Sequence, residues 1–504
     1  MLAAVPSATL LGVTGLPVTV EVHVGTGLPG FQIVGLPDEA CRESRDRVRA
    51  ALLSSELEWP NKRITVNLAP SNTRKGGSGL DLAIALGVLL AAGLVESSRP
   101  ETFCFIGELG LDGSVRPLPG VAPMVACQPR CRAVVPAASW HEAAAVAGDD
   151  VIGVSSLREV VHALTGGRWP DPPPAPDDDD EAPPADLADV RGQLGARLAL
   201  ELSAAGGHHL LLVGPPGSGK TMLAQRIVGL LPDLDHETAL EATMIHSAAG
   251  ARLPRLGVVR RPTFRAPHHS SSLVSLVGGG SHAMRPGEVS LAHGGALFLD
   301  ELGEFAAVAL DALRQPLEEG VVRISRANFS TSLPARFLLI GATNPCPCGG
   351  GAPGECECDE AARQRYLRRL SGPLLDRFDL RVSVEQTGVD DLIGDRRGEP
   401  TAVVRERVLA ARAASLDRNG RLNASIPASM LDLCAPITSA ARDRLRSELE
   451  ANRLTGRGLH RVRRVARTIA DLDEPGRTVV EREHVELALQ LRVRLRRLAR
   501  WDAA

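Results

Sequence analysis

Lysine is almost missing from this chain. Lys62, Lys75 and Lys220 are its only three, and arginine supplies every other basic side chain. A lysine that is kept against this background points to a chemical need for a compact point charge rather than a planar fork. Aromatic residues make up 3% of the chain and Tyr366 is the single tyrosine, which argues against stacking of bases on aromatic rings as a binding mode. No basic residue precedes Arg42, so the N-terminus makes a poor signal peptide. The most apolar run, Leu80 to Leu94, is short and contains Asp81 and Gly87; it reads as a buried helix and not as a membrane span. These absences predict a soluble, cytoplasmic chain with no membrane partner. Nine cysteines in 504 residues do not suggest a disulfide framework.

The length leaves room for two to four domains and at least one large core. A hydrophobic content of 44% and a charged content of 23% are ordinary for globular protein. The net charge of −3 excludes little, because it averages an acidic linker against an arginine-rich C-terminus.

What is present centres on GPPGSGKT, Gly214 to Thr221. The apolar run Leu210 to Val213 before it predicts a buried strand. Met222, Leu223, Ile227 and Val228 after it are spaced as one helix face. Strand, glycine-rich loop and helix form the context of a P-loop: Gly214, Pro215, Pro216, Gly217, Ser218 and Gly219 let backbone N–H groups surround a phosphate. Lys220 adds charge toward the β- and γ-phosphates, and Thr221 can ligate Mg²⁺. ATP and Mg²⁺ are the predicted cofactors.

Before this loop, Thr9 to Val24 predicts strands joined by a turn. Asp38 to Ser54 predicts a helix capped by Asp38, with Ala40, Val48, Ala51 and Leu52 on one face. Ile64–Leu68, Phe103–Glu108 and Ala133–Val135 predict further strands, with a turn at Asp112-Gly113, and Leu80–Leu90 predicts a helix. Residues 169–189 then change character, with five consecutive acids (Asp177 to Glu181) among prolines. Such a segment cannot bury apolar surface and reads as an extended linker.

Beyond the P-loop, ALFLDE (Ala296 to Glu301) is an apolar strand ending in two carboxylates. An acid at the C-terminal end of a parallel strand faces the phosphate crevice. Asp300 would hold Mg²⁺ through water, and Glu301 would orient or deprotonate the attacking water. Phe337–Ile340, followed by Gly341 to Asn344, predicts another strand, with Asn344 as a sensor of the lytic water; alone, an Asn at a strand end is usually a turn former. In SGPLLDRFDL, Arg377 is predicted to reach a neighbouring subunit's γ-phosphate, against the plainer alternative of a surface pair with Asp376 or Asp379. Arg457 is the candidate for a sensor arginine acting in cis from the lid, with Arg461 as the alternative.

Cys346, Cys348, Cys356 and Cys358 form C-x-C-x₇-C-x-C directly after Asn344. Four thiolates could close a tetrahedral structural Zn²⁺ site; free thiols or a redox pair are the alternative. His268-His269 has neither carboxylate nor cysteine beside it in sequence and reads as structural. From about Thr401 the pattern is helical, with Val404, Val408 and Ala411 sharing a face. The final LRVRLRRLAR is basic, and a solvated helix face explains it as well as a nucleic-acid contact.

Several stretches resemble the ComM/YifB family of magnesium-chelatase-like ATPases. In the front part they are GLPGFQIVGLPDEACRESRDRVRAAL, ITVNLAPSNTRKGGSGLDLAIALG and FIGELGLDGSVRPLPG followed by AVVPAAS. Later come RPTFRAPHHSSSLVSLVGGG, MRPGEVSLAHGGALFLDELGEF, LRQPLEEG and GATNPCPCG. The resemblance implies an α/β multidomain chain: an N-terminal α+β Lon-protease-like domain (1–168), the linker (169–189), an AAA+ P-loop ATPase core (190–395) and a C-terminal α-helical lid (396–504). It further implies a homo-hexamer with single-stranded or branched DNA in its central channel, and branch-migration helicase activity in recombination or natural transformation. The segment from Phe264 to Gly287 and a hairpin from about Val322 to Pro334, with Arg326 and Asn328 near its tip, would line that channel. Lon proteases use a Ser–Lys dyad. Here Ser78 stands near the serine's place, but the lysine's place falls at about Met124, and a thioether takes no proton; Lys75 is on another element. Proteolysis is therefore disfavoured. A chelatase-type ATPase driving metal insertion would need a partner subunit.

Overall fold

The computed structural model describes residues 1–71, 75–96, 99–174, 183–280, 284–326, 329–349, 358–359, 361–362, 365–366, 372–386, 388, 390 and 397–493. Its N-terminal part opens with a hairpin of Leu2–Leu11 and Thr14–Gly25. Arg63–Ala69 adds antiparallel to the second strand, and Gly30–Val34 adds parallel on the outer edge. Along Thr14–Gly25 the pleat sends Val18, Val20, Val22 and Val24 inward, as alternation requires when one face is covered. The cover is the helix Asp81–Ala92, buried along almost its whole length, which is why it lacks an amphipathic pattern. Its Asp81 is fully buried and is held by Ser44 and by Arg47 at 2.7 Å. Removing Arg47 would strand that carboxylate at a cost of about 3–5 kcal/mol. The helix Glu39–Ser54 starts where expected, with the Asp38 side chain accepting from the Cys41 N–H at 2.8 Å. The strand expected over Phe103–Glu108 divides in two: Phe103–Phe105 joins a parallel three-stranded sheet with Arg132–Pro136 and Val151–Val154, while Glu108–Leu109 forms a small hairpin with Val115–Arg116.

The second large sheet has five parallel strands in the order Phe264–Arg265, Ala296–Leu299, Leu338–Thr343, Leu210–Val213, Leu380–Ser383. Parallel strands covered on both faces read as continuous apolar runs, and Leu210–Val213 and Ala296–Leu299 are buried at every position. The P-loop strand lies between the strand before Asn344 and the strand after Arg377. After the P-loop, Lys220–Gln225 and Ile227–Leu230 are helical. Leu223 and Ile227 are buried but Met222 is exposed, so the expected common face holds without Met222.

The C-terminal region is helical: Thr401–Asn419, Ser439–Glu450, Gly456–Asp473 and Arg482–Gln490 are its longer helices. They share one apolar cluster with the P-loop strand, in which Leu212, Leu200, Val404, Val408 and Ala466 take part. Among the described residues no helix is long and apolar enough to cross a membrane.

Two insertions leave the core. The segment after Phe264–Arg265 holds a short helix, Leu273–Val277, and the pair Gly278–Gly279 with Arg285–Pro286. The expected hairpin is present as Val321–Arg326 paired with Phe329–Pro334; Asn328 and the Arg326 side chain lie outside the described residues. The turn of the N-terminal hairpin rests on both insertions. Val13 packs in a cluster with Leu276, Met284 and Leu333, and a methyl group on Gly12 would meet Met284 at 3.3 Å and Thr331 at 3.6 Å.

Candidate active site

The P-loop leaves the strand Leu210–Val213 at Gly214, where a Cβ would lie 2.1 Å from the Val384 carbonyl oxygen; only glycine fits. Gly217 and Gly219 take φ of 75° and 84°, the left-handed region that L side chains avoid. Inside this turn the Lys220 ammonium donates to the carbonyls of Gly214 (2.8 Å) and Pro215 (2.7 Å) and to Asn344 Oδ1 (3.3 Å). Burial pushes its pKa down, and the Asp300 and Glu301 carboxylates pull it back up. The Ser218 hydroxyl is buried with no partner among the described residues. An orphaned donor and an ammonium resting on neutral carbonyls fit a polyanion such as a nucleotide phosphate chain. Pro215 and Pro216 shape the same turn.

Thr221 Oγ1 donates to Asp300 Oδ2 at 2.7 Å, so the two expected Mg²⁺ ligands are neighbours. Their meeting follows from strand order. Leu299 pairs with Gly341 and Val213 with Thr343, so Asp300, Asn344 and the P-loop leave the same end of the sheet. Glu301 follows in a left-handed backbone conformation, φ 50° and ψ 49°, unusual for a residue with a side chain. Its carboxylate is exposed and pairs with His269 Nδ1 at 3.0 Å. His269 was read from sequence as structural and without a carboxylate; the carboxylate comes instead from a strand end 32 positions later, which no local pattern could reveal. Thr343, just before Asn344, is buried and bonded to the Tyr366 hydroxyl at 2.9 Å.

Arg377 lies elsewhere. It pairs with Glu318 of the helix Arg314–Glu319, rather than with Asp376 or Asp379. Asp379 and Leu380 both donate backbone N–H to the His209 carbonyl, which fixes them at the N-terminal end of the P-loop strand. Arg461 donates to the Arg377 carbonyl at 2.9 Å and pairs with Asp379. Burial lowers the Arg377 pKa first, and the charges of Arg461, Arg457 and Arg314 lower it further. Arg377 and Arg461 border a cleft of about 690 Å³ that Arg336, Arg412 and Arg464 also line. Arg457 and Arg461 both stand near Arg377, at the end of the P-loop strand opposite the P-loop, and a four-residue strand spans roughly 13 Å at about 3.3 Å per residue.

Cys346, Cys348 and Cys358 bring their sulfurs within 4.8 Å of one another; Cys356 lies outside the described residues. This loop sits against the P-loop, since a Cβ on Gly349 would meet Pro216 at 2.7 Å. In the N-terminal part, Ser78 donates to Glu108, and Met124 is buried with its sulfur 3.9 Å from where a Gly79 Cβ would stand. A thioether thus stands beside the serine turn. Lys75 is buried with no partner among the described residues, and burial lowers its pKa.

Comparison with known proteins gives this geometry a lineage. The family described as "Magnesium chelatase, subunit ChlI" matches residues 186–392, "Subunit ChlI of Mg-chelatase" matches 20–138, and "Magnesium chelatase, subunit ChlI C-terminal" matches 398–492. An uncharacterized protein of Mycobacterium tuberculosis (strain ATCC 25618 / H37Rv) is 45% identical, over 96% of this chain and 97% of its own. The competence protein ComM of Haemophilus influenzae is 41% identical over 99% of this chain and 98% of its own. YifB of Escherichia coli (strain K12) is 41% identical over 97% of each. Identity of this depth over whole chains, on a parallel sheet that gathers a P-loop and two strand-end carboxylates, settles descent: the chain belongs to the ComM/YifB family of magnesium-chelatase-like AAA+ ATPases.

Proposed function

We propose that this ATPase works as a homo-hexameric ring that moves on DNA in the cytoplasm, as a branch-migration helicase in recombination or natural transformation. The observation that carries the reading is the separation of two half-sites. Lys220, Thr221, Asp300, Glu301 and Asn344 stand at one end of the core sheet, and Arg377, Arg457 and Arg461 at the other. A site divided this way is completed when one subunit's arginines meet the next subunit's P-loop, which a closed ring achieves at every interface.

In that composite site Lys220 neutralises β- and γ-phosphate charge. Thr221 and Asp300 would hold Mg²⁺, which would supply further charge neutralisation. Glu301 orients the lytic water and accepts its proton, Asn344 fixes the water's position, and Arg377 from the neighbour stabilises charge on the transferred phosphoryl group. The same arrangement makes Arg457 and Arg461 sensors in trans. The insertions at residues 264–287 and 321–334 would face the DNA, and residues 1–168 would form a Lon-like domain without its catalytic base.

The soft, closely spaced sulfurs of Cys346, Cys348 and Cys358 fit a structural Zn²⁺ that would stiffen the loop against Pro216. The chelatase and protease readings rest on no comparable observation.

The test is ATP turnover and strand separation on single-stranded, forked and four-way DNA, with metal content measured on the same preparation. Turnover stimulated by forked or four-way DNA, with about one zinc per chain, is expected. Turnover indifferent to every DNA would sink the motor reading.

A further inference from the structure

We propose that Asp379 is a positioning residue for the arginine half-site: its carboxylate sets the reach of Arg461 and, through Arg461, steadies the loop that carries Arg377. This rests on the ATPase reading above and adds to it a residue that touches no phosphate.

Asp379 is buried, and its backbone N–H donates to the His209 carbonyl at 3.0 Å, so the carboxylate stands on the framework of the core sheet. One of its oxygens pairs with Arg461 of the helix Gly456–Asp473. The other faces His208 Nδ1 at 3.2 Å, and the far nitrogen of His208 lies 2.8 Å from Thr468 Oγ1 on that same helix. Arg461 and Thr468 are about two turns apart, roughly 10 Å along the axis. Two attachments at that spacing fix both the roll and the tilt of the helix against the sheet, which a single contact could not do. The Arg461 guanidinium also donates to the Arg377 carbonyl at 2.9 Å, so the loop just before Asp379 hangs from the side chain that Asp379 holds.

Burial by itself would raise the Asp379 pKa, but the His208 bond and the charge of Arg461 hold the carboxyl well below the usual carboxylate range. Both oxygens of the anion are engaged, and a carboxylate repels phosphate. Its influence on turnover therefore passes through the arginines. Preorganised charge needs no rearrangement at the moment of reaction, and a misplacement of about 1 Å can cost about 10²-fold in rate.

The experiment is steady-state ATP hydrolysis by the full-length chain for the wild type, Asp379→Ala, Asp379→Asn, Arg461→Ala and the double variant Asp379→Ala/Arg461→Ala. Asp379→Ala should lower kcat about 10²-fold, with KM for ATP changing no more than in Arg461→Ala. Asp379→Asn keeps an acceptor for Arg461 and should fall between Asp379→Ala and wild type. The double variant should turn over no more slowly than Arg461→Ala alone. A wild-type kcat in Asp379→Ala, or losses that multiply in the double variant, overturns the positioning role. Mixing Asp379→Ala with Lys220→Ala chains should restore part of the activity, because the lesion spares the variant's own P-loop. If Arg377→Ala recovers in such a mixture and Asp379→Ala does not, Asp379 merely supports the fold and the proposal falls. Should Asp379→Ala fail to fold, Thr468→Val cuts the second attachment while keeping the side chain's shape, and should give a smaller loss of kcat that is again non-additive with Arg461→Ala. The failure of the underlying reading looks different. An Arg377→Ala mixture without recovery sinks the ring, and the double variant still decides Asp379. A wild-type chain without turnover sinks the ATPase and this role with it.

Discussion

The two ends of the five-stranded sheet are chemical opposites. The C-terminal end carries one lysine facing two carboxylates, an amide and a hydroxyl, and its hydrogen bonds run among these groups. The N-terminal end carries Arg377 and Arg461 on a cleft whose acids, Glu318 and Asp379, are already paired, with the charge of Arg457 near Arg377. Burial lowers the Arg377 pKa, and the neighbouring charges of Arg461, Arg457 and Arg314 lower it further. The contrast is one of charge: the first end holds a single cation among acids and an amide, and the second holds several cations around two paired acids, as the proposed ring would require of its two half-sites.

The comparison can be broken most sharply at Arg377. If the N-terminal end serves a neighbour, Arg377→Ala lowers ATP turnover by about 10³–10⁵-fold while nucleotide binding persists. Mixing that variant with Lys220→Ala chains, each inactive alone, then restores part of the activity. Mixed rings without any recovery would mean that Arg377 acts only within its own subunit. Next in size, Glu301→Gln keeps the size of the side chain but removes the proton acceptor, and should lower kcat by about 10²–10⁴-fold with ATP affinity retained; a loss of affinity instead would make Glu301 a binding group. The smallest expected effect is on stability. His209, at the N-terminal end, accepts the Leu339 N–H at 3.1 Å, and burial pushes its pKa down to about 4. It is neutral in the fold, so its contribution is whole above the unfolded value near 6.5 and is lost as pH falls from there toward 4, by no more than about 3 kcal/mol. His209→Asn keeps an acceptor for Leu339 without the titration, so its melting temperature should fall less steeply over that window. His246, also lowered by burial, leaves a residual slope in both proteins. Equal slopes would show that His209 stays accessible to protons.

Much of the first end was legible in the sequence because its chemistry is local. The P-loop is one run of residues, and Asp300, Glu301 and Asn344 each close an apolar strand. The second end was legible only in part. Arg377 was found from its own segment, but the side on which the lid docks depends on His208 bonding Thr468 at 2.8 Å and on Arg461 pairing with Asp379, partners far apart in the chain. Residues 30–34 escaped notice as a strand because GFQIV is flanked by glycine and proline, and its order comes from pairing with Arg63–Ala69. The Glu301 partner of His269 was not legible, because it arrives through the fold of the core.

The turn at Gly12-Val13 has a mechanical consequence. It is wedged between Met284 and Thr331, one from each insertion, with Val13 sealed into their shared apolar cluster. A stroke of either loop must therefore carry the front of the molecule with it or prise that plug out. Through Val13 the N-terminal hairpin is thus joined to both insertions by packing and not by the chain alone.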